Sequence, residues 1–204
     1  MRVVISERAE RSAKELMFAH SAHLHWQRRP LTLRGRLVGA SVRRLGSPAY
    51  LTLPHIAAVC EEFSRSVLIE CSEPLVPHTH PLLDELWRAA ETKAESWPGQ
   101  ESAWKNWHGL DISNEAEYKS LRPVVEARNA IVHGLGQLTR RQTQKDGGAK
   151  VKKQLQTVGI RTNGRKLLID DSAMRRCVDS AVRFVNWLDL ETQSRGLRSP
   201  RTTV

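Results

Sequence analysis

Apolar side chains recur at three- and four-residue spacing through most of this chain, the pattern of helices that bury one face. Ile56, Val59, Cys60, Phe63 and Val67 form the clearest stripe, with Glu61, Glu62 and Arg65 between them on a solvated face. A last stripe runs Met174, Val178, Ala181, Val185 and Leu188, with Asp171 or Ser172 placed to cap it. Ser6 is placed to cap a first helix that passes Lys14, Leu16 and His20 toward Trp26 and stops before Pro30. Pro74, Pro77 and Pro81 precede a third helix from Leu82 through Leu86 to Ala94, which ends near Pro98-Gly99. Trp104 and Trp107 follow in a short segment, where packing is the simpler role and base stacking the rival one.

Residues 114–133 return to helical spacing, with Tyr118, Leu121, Val125 and Val132 on one side. Pro123 predicts a kink or a fresh helix start there, and Gly134 and Gly136 read as stop signals. Residues 30–48 mix Gly, Pro and Arg and read as a basic connector, and 138–153 as a mobile basic loop. Asn163-Gly164 between β-prone runs predicts a hairpin that sets Ile160 against Leu167 and Val158 against Ile169. Arg161 and Lys166 then share the other face, where like charges need an anion between them or splay into water. The expected fold is mainly α: a bundle of four to five helices with a β-hairpin inserted before the last helix. One domain spans residues 1–195. Its basic N-terminal helix and connector occupy 1–48, the basic loop and hairpin 138–170, and a disordered tail 196–204.

Charge sharpens this picture. The chain has 204 residues and a net charge of +10, with 40% hydrophobic residues, enough to bury a core. Residues 1–45 carry +7, 46–137 carry −6, 138–166 carry +8 and 167–204 carry +1. A mildly acidic body with two basic segments suits a polyanion, because lysine and arginine neutralise phosphates and release counterions. Neither basic segment has a sustained apolar helical face beside its charges, which argues against a membrane surface. No apolar run is long enough to span a bilayer, and the N-terminus lacks a signal-peptide core, so a cytoplasmic protein is expected. Cys60, Cys71 and Cys177 form no CxxC pair and read as reduced core residues. His20, His23 and His25, like His78 and His80, lack a completing ligand set and read as surface histidines. No metal or cofactor is expected.

The candidate chemistry lies in Arg128-Asn129-Ala130-Ile131-Val132-His133, just before Gly134. In a helix, Asn129 and His133 stand about 40° apart and Arg128 about 140° from His133, within reach of its long side chain. An imidazole, an amide and a guanidinium at one helix end suit RNA cleavage. RNA brings its own nucleophile, the 2′-hydroxyl, so the site needs proton transfer and fixed positive charge rather than an activated water. One histidine cannot serve as both base and acid, whereas a twofold dimer would supply two.

Arg-Asn followed by three residues and His, late in a helix of a small bundle, resembles the RxxxxH signature of HEPN domains. The stretch ARNAIVHGLGQLTRRQ is most similar to the RiboL-PSP type, with the MAE_28990-like type a close competitor. The resemblance implies a helical fold, a homodimer through the motif helices, and metal-independent endoribonuclease activity, often in toxins or antiviral defence effectors. An antitoxin or regulatory partner is then possible. Arg128 and His133 would be catalytic and Asn129 supporting, while Arg140, Arg141, Lys145, Lys150, Lys152, Lys153, Arg161 and Lys166 would guide the RNA. The alternative is a non-catalytic RNA-binding or regulatory HEPN module. A DNA-binding protein is the weakest reading, since no recognition helix is recognisable.

Overall fold

The computed structural model describes residues 4–28, 48–76, 80–144 and 147–198. Among them, four long helices form the frame: α1 (Glu7–Arg28), α2 (Ala49–Ser72), α5 (Ala116–Gly134) and α8 (Asp171–Ser194). α1, α2 and α8 pack on one another, and α5 closes the bundle against α2 and α8. The stripes explain why: Leu53, Ile56, Phe63 and Val67 of α2 meet Met174, Ala181, Phe184 and Leu188 of α8 in one buried core. Two shorter helices, α3 (Pro81–Lys93) and α4 (Trp97–His108), follow α2. After α5 come α6 (Arg140–Thr143), α7 (Gly147–Thr157) and the strands β1 (Arg161–Asn163) and β2 (Lys166–Leu168). No helix of the described residues is long and apolar enough to cross a membrane.

The architecture is mainly helical with a hairpin before the last helix, but the described residues hold eight α-helices rather than four or five. Three account for the excess. Pro98 starts α4 instead of ending α3: proline suits a first helical turn, and Ser96 caps that turn through Gly99 N–H at 3.4 Å. α6 and α7 occupy the stretch read as a loop. Thr139 and Gln142 form a capping box on α6, and Val151 and Leu155 give α7 one apolar face, which packs on α5. Among the basic residues Lys145 lies outside the described residues, as do His78, residues 30–47 and the tail from 199.

The hairpin closes one residue later than its sequence suggests. Arg161 pairs with Leu168, Thr162 with Leu167 and Asn163 with Lys166, so the turn is Gly164-Arg165. Gly164 takes the left-handed conformation (φ +60). This register buries Leu167 and lets the Arg165 guanidinium donate to the Leu138 carbonyl. Ile160 and Val158 are buried ahead of the strand. Arg161 and Lys166 are no longer opposite each other; Arg161 turns to Asp170, 3.5 Å away.

The caps and turns bring further corrections. Asp170, one residue before the two expected candidates, caps α8 by accepting from Ala173 N–H at 2.8 Å. Ser6 caps α1 as read, accepting from Ala9 N–H at 3.3 Å. His80 caps α3 through Leu82 N–H at 3.1 Å. Pro123 sits inside α5 with no fresh start there. Proline has no N–H, so residue 123 gives the helix no hydrogen bond. The three cysteines are free and buried, and burial pushes the Cys71 thiol up to about 11. Trp104 is a packing anchor: fully buried, it donates from Nε1 to Ser64 Oγ at 3.1 Å.

His23 is not a surface histidine. It is buried between α1 and α8, with Nε2 3.2 Å from Asp171 Oδ1. Burial holds its pKa below the usual 6.5, against the pull of Asp171. His108 is held below 6.5 by burial as well. Its Nε2 donates to Ser72 Oγ at 2.7 Å, because the Ser72 proton already goes to the Leu68 carbonyl. Between the depressed folded values and 6.5 the unfolded chain binds more protons, so stability is present above 6.5 and is lost as pH falls below it. Urea midpoints are expected to drop from neutral pH toward pH 5, and His108→Gln to flatten that slope. A profile that is the same in both proteins would exclude this contribution.

Candidate active site

Packing of α5 decides which of its residues face outward. Tyr118, Leu121, Pro123, Val124, Ala127, Ala130 and Ile131 are the buried ones. Alanines at 127 and 130 let α2 and α8 approach closely, so the core stripe is rotated from the one drawn through the larger valines. Val125 is only half-buried and Val132 is 47% exposed. Val132 joins Asn129 and His133 on an outward strip, while Val125 still packs against the core. Asn129 is half-buried and His133 exposed.

Arg128 sits at the edge of this strip and reaches onto it. Its Nη1 donates to Asn129 Oδ1 at 3.1 Å, which holds the guanidinium beside that amide. It forms no ion pair with Glu126 or Glu117. Glu126 is instead taken by Gln142, whose Nε2 donates to its carbonyl at 2.8 Å and its carboxylate at 2.7 Å. On the other side of Arg128 lies Glu61 of α2. Burial pushes the Glu61 carboxyl up, opposed by the charge of Arg128 and by the Trp97 backbone N–H. Glu61 was placed in the solvated face by its sequence pattern; only the packing of α2 on α5 brings it to the motif.

The helix ends under strain. Gly134 is still helical, and the left-handed position falls on Leu135 (φ 51), the one non-glycine with positive φ among the described residues. Such a residue costs roughly 1–2 kcal/mol. Gly136 (φ +84) cannot yield its place, because a Cβ there would lie 2.6 Å from the Tyr50 ring. The left-handed stop therefore falls on Leu135, which is left 77% exposed beside His133.

The basic residues line one flank. The Gln142 latch holds α6 against α5, and α7 packs on both. Arg140, Arg141, Lys150 and Lys153 are exposed there, with Lys152 half-buried. Lys166 is exposed at the hairpin tip, while Arg161 is engaged by Asp170. Acids also stand beside α5: Glu61 of α2 and Glu101 of α4. Tyr118 donates to Glu101, and burial followed by that carboxylate pushes the phenol up. Among the described residues no group of three or more His, Cys, Asp or Glu is arranged to hold a metal ion. Neither a protein-family model, a curated protein nor a solved structure matches this chain.

Proposed function

We propose that this chain is an endoribonuclease of HEPN type that cuts RNA through its own 2′-hydroxyl. The observation that carries this reading is the Arg128–Asn129 hydrogen bond, which sets a guanidinium on the exposed strip that ends in His133. The 2′-oxygen attacks the adjacent phosphorus and the bond to the 5′-oxygen breaks. The 2′-proton leaves to one imidazole, and a second, protonated imidazole gives its proton to the departing 5′-oxygen. Arg128 bears the charge of the crowded phosphorane. Products are a 2′,3′-cyclic phosphate and a 5′-hydroxyl.

The second imidazole comes from a second copy of the chain. Val132 and Leu135, 47% and 77% exposed on either side of His133, are the apolar contacts that such a twofold partner would cover. Arg140, Arg141, Lys150, Lys152 and Lys153 supply the salt-sensitive attraction that brings RNA to this face. A non-catalytic RNA-binding or regulatory module is the second reading. What favours it is that His133 makes no hydrogen bond or ion pair with a described residue of its own subunit.

The purified chain is expected to cut single-stranded RNA in excess EDTA and to sediment as a dimer under the same conditions. Cleavage that starts only on adding a divalent metal would exclude the mechanism. RNA binding without cleavage would favour the second reading.

A further inference from the structure

α3 is held by its ends more than by its packing. Pro81 opens it, His80 caps it, Asp84 stands in its first turn and Lys93 in its last, yet none of its residues is buried. At about 100° per residue, its apolar side chains form one band that runs from Ala89 through Leu82, Leu86, Ala90 and Leu83 to Trp87. Leu83, Ala90 and Trp87 are half-buried, and the Trp87 ring lies 5.6 Å from that of Trp107 on α4. The other half of the band is open: Leu82 is 55% exposed, Leu86 is 59% exposed, and Ala89 is exposed as well.

Leu82, Leu86 and Ala89 recur at the four- and three-residue spacing by which one helix docks on another. Charge narrows what that second helix is. Between Glu73 and Glu95 this chain, +10 overall, carries five acids and two bases. Glu73, Glu85 and Glu95 are exposed and form no ion pair with a described residue. Glu85 borders the open stripe, about 60° around the helix from Leu82. These carboxylates repel nucleic acid and an anionic lipid surface alike, and attract lysine and arginine. A twofold contact with a second copy would bring the same acids face to face. The basic flank that suits RNA sits elsewhere, on α6 and α7, which pack with α5.

We propose that the open half of α3 is a docking site for a basic amphipathic helix of another protein. The apolar stripe of that helix lies on Leu82, Leu86 and Ala89, and its lysines or arginines meet Glu85 and the neighbouring acids. The contact does not depend on the nuclease reading, since it uses α3 rather than the strip of Val132 and His133.

The test titrates the full chain into a fluorescent helical peptide of leucine and lysine, followed by anisotropy. The peptide is expected to bind and to weaken as salt rises, and a counterpart of leucine and glutamate is expected not to bind. Leu86→Ser is expected to weaken binding about tenfold, the loss of one partly buried leucine contact. Glu85→Lys is expected to weaken it and to flatten the salt dependence. Equal binding of the two peptides overturns the site, as does unchanged binding when Leu82→Ser and Leu86→Ser are combined. Displacement by an unpaired oligoribonucleotide or by anionic vesicles overturns it too, giving the face to RNA or to lipid. A peptide of residues 29–47, which holds five arginines, that binds more tightly than the leucine–lysine probe would make the occupant a segment of this chain. Loss of a dimer in the double serine variant would make it a second copy. Either result overturns the assignment to another protein.

Discussion

Changing His133 to Ala is expected to slow RNA cleavage by about 10²–10⁴-fold, the usual loss for one positioned proton-transfer group. Fold stability is expected to hold, because His133 is exposed and has no hydrogen bond to a described residue. Arg128→Ala removes the fixed charge opposite the phosphorane and is expected to lose about 10²–10³-fold. It also frees Asn129 Oδ1, so Arg128→Lys is informative: charge is kept but the fork that binds Asn129 and phosphate together is not. Initial rates on a fluorescent single-stranded RNA, with circular dichroism as a check on folding, measure these effects. If expressing the chain arrests growth, Arg128→Ala is expected to relieve the arrest. An alanine at 133 that cuts at the wild-type rate would take the imidazole out of the reaction.

The largest expected effect on stability lies far from the motif. Asp189 of α8 is fully buried and gathers the two ends of the described chain. It accepts from the Ser6 N–H at 2.7 Å, from the Ser6 hydroxyl, and from Gln193 Nε2 at 2.8 Å. It also pairs with Arg198, whose side chain is only 8% exposed and whose other nitrogen reaches Glu70 at 3.0 Å. A buried ion pair adds little beyond well-packed apolar residues, yet removing one member strands the other. Asp189→Ala leaves two Ser6 donors unsatisfied and takes one of the two acids from a buried guanidinium. About 3–5 kcal/mol is expected to be lost, read from urea unfolding. Asp189→Ala with Arg198→Ala should recover part of that loss, since the unpaired charge is gone. A loss below about 1 kcal/mol for the single change would mean that water or rearrangement satisfies these groups.

The long helices were legible because their burial is one-sided. A stripe such as Ile56 to Val67 or Met174 to Leu188 states its own period. α6 and α7 were not, because Gly147-Gly148 and a run of lysines look like a loop until Val151 and Leu155 find α5 to cover. The hairpin register departs from its local pattern for a related reason. Asn-Gly fits its own tight turn, but Leu167 burial and the Arg165 bond to Leu138 favour the next register. On α5 the valines drew attention as the larger apolar residues, whereas close helix approach is made through Ala127 and Ala130.

What the sequence alone determined is therefore local: helical periods, the glycine-rich end of α5, the two basic segments, and Arg128, Asn129 and His133 within one helical turn and a half. These follow from backbone geometry and composition, which need no distant partner. Tertiary structure decided the rest. It chose the outward face of α5 and brought Glu61 from α2 to Arg128. It set the basic flank of α6 and α7 beside the motif and tied Arg161 to Asp170. Those outcomes depend on how helices separated by tens of residues pack side by side, and no short-range pattern records that.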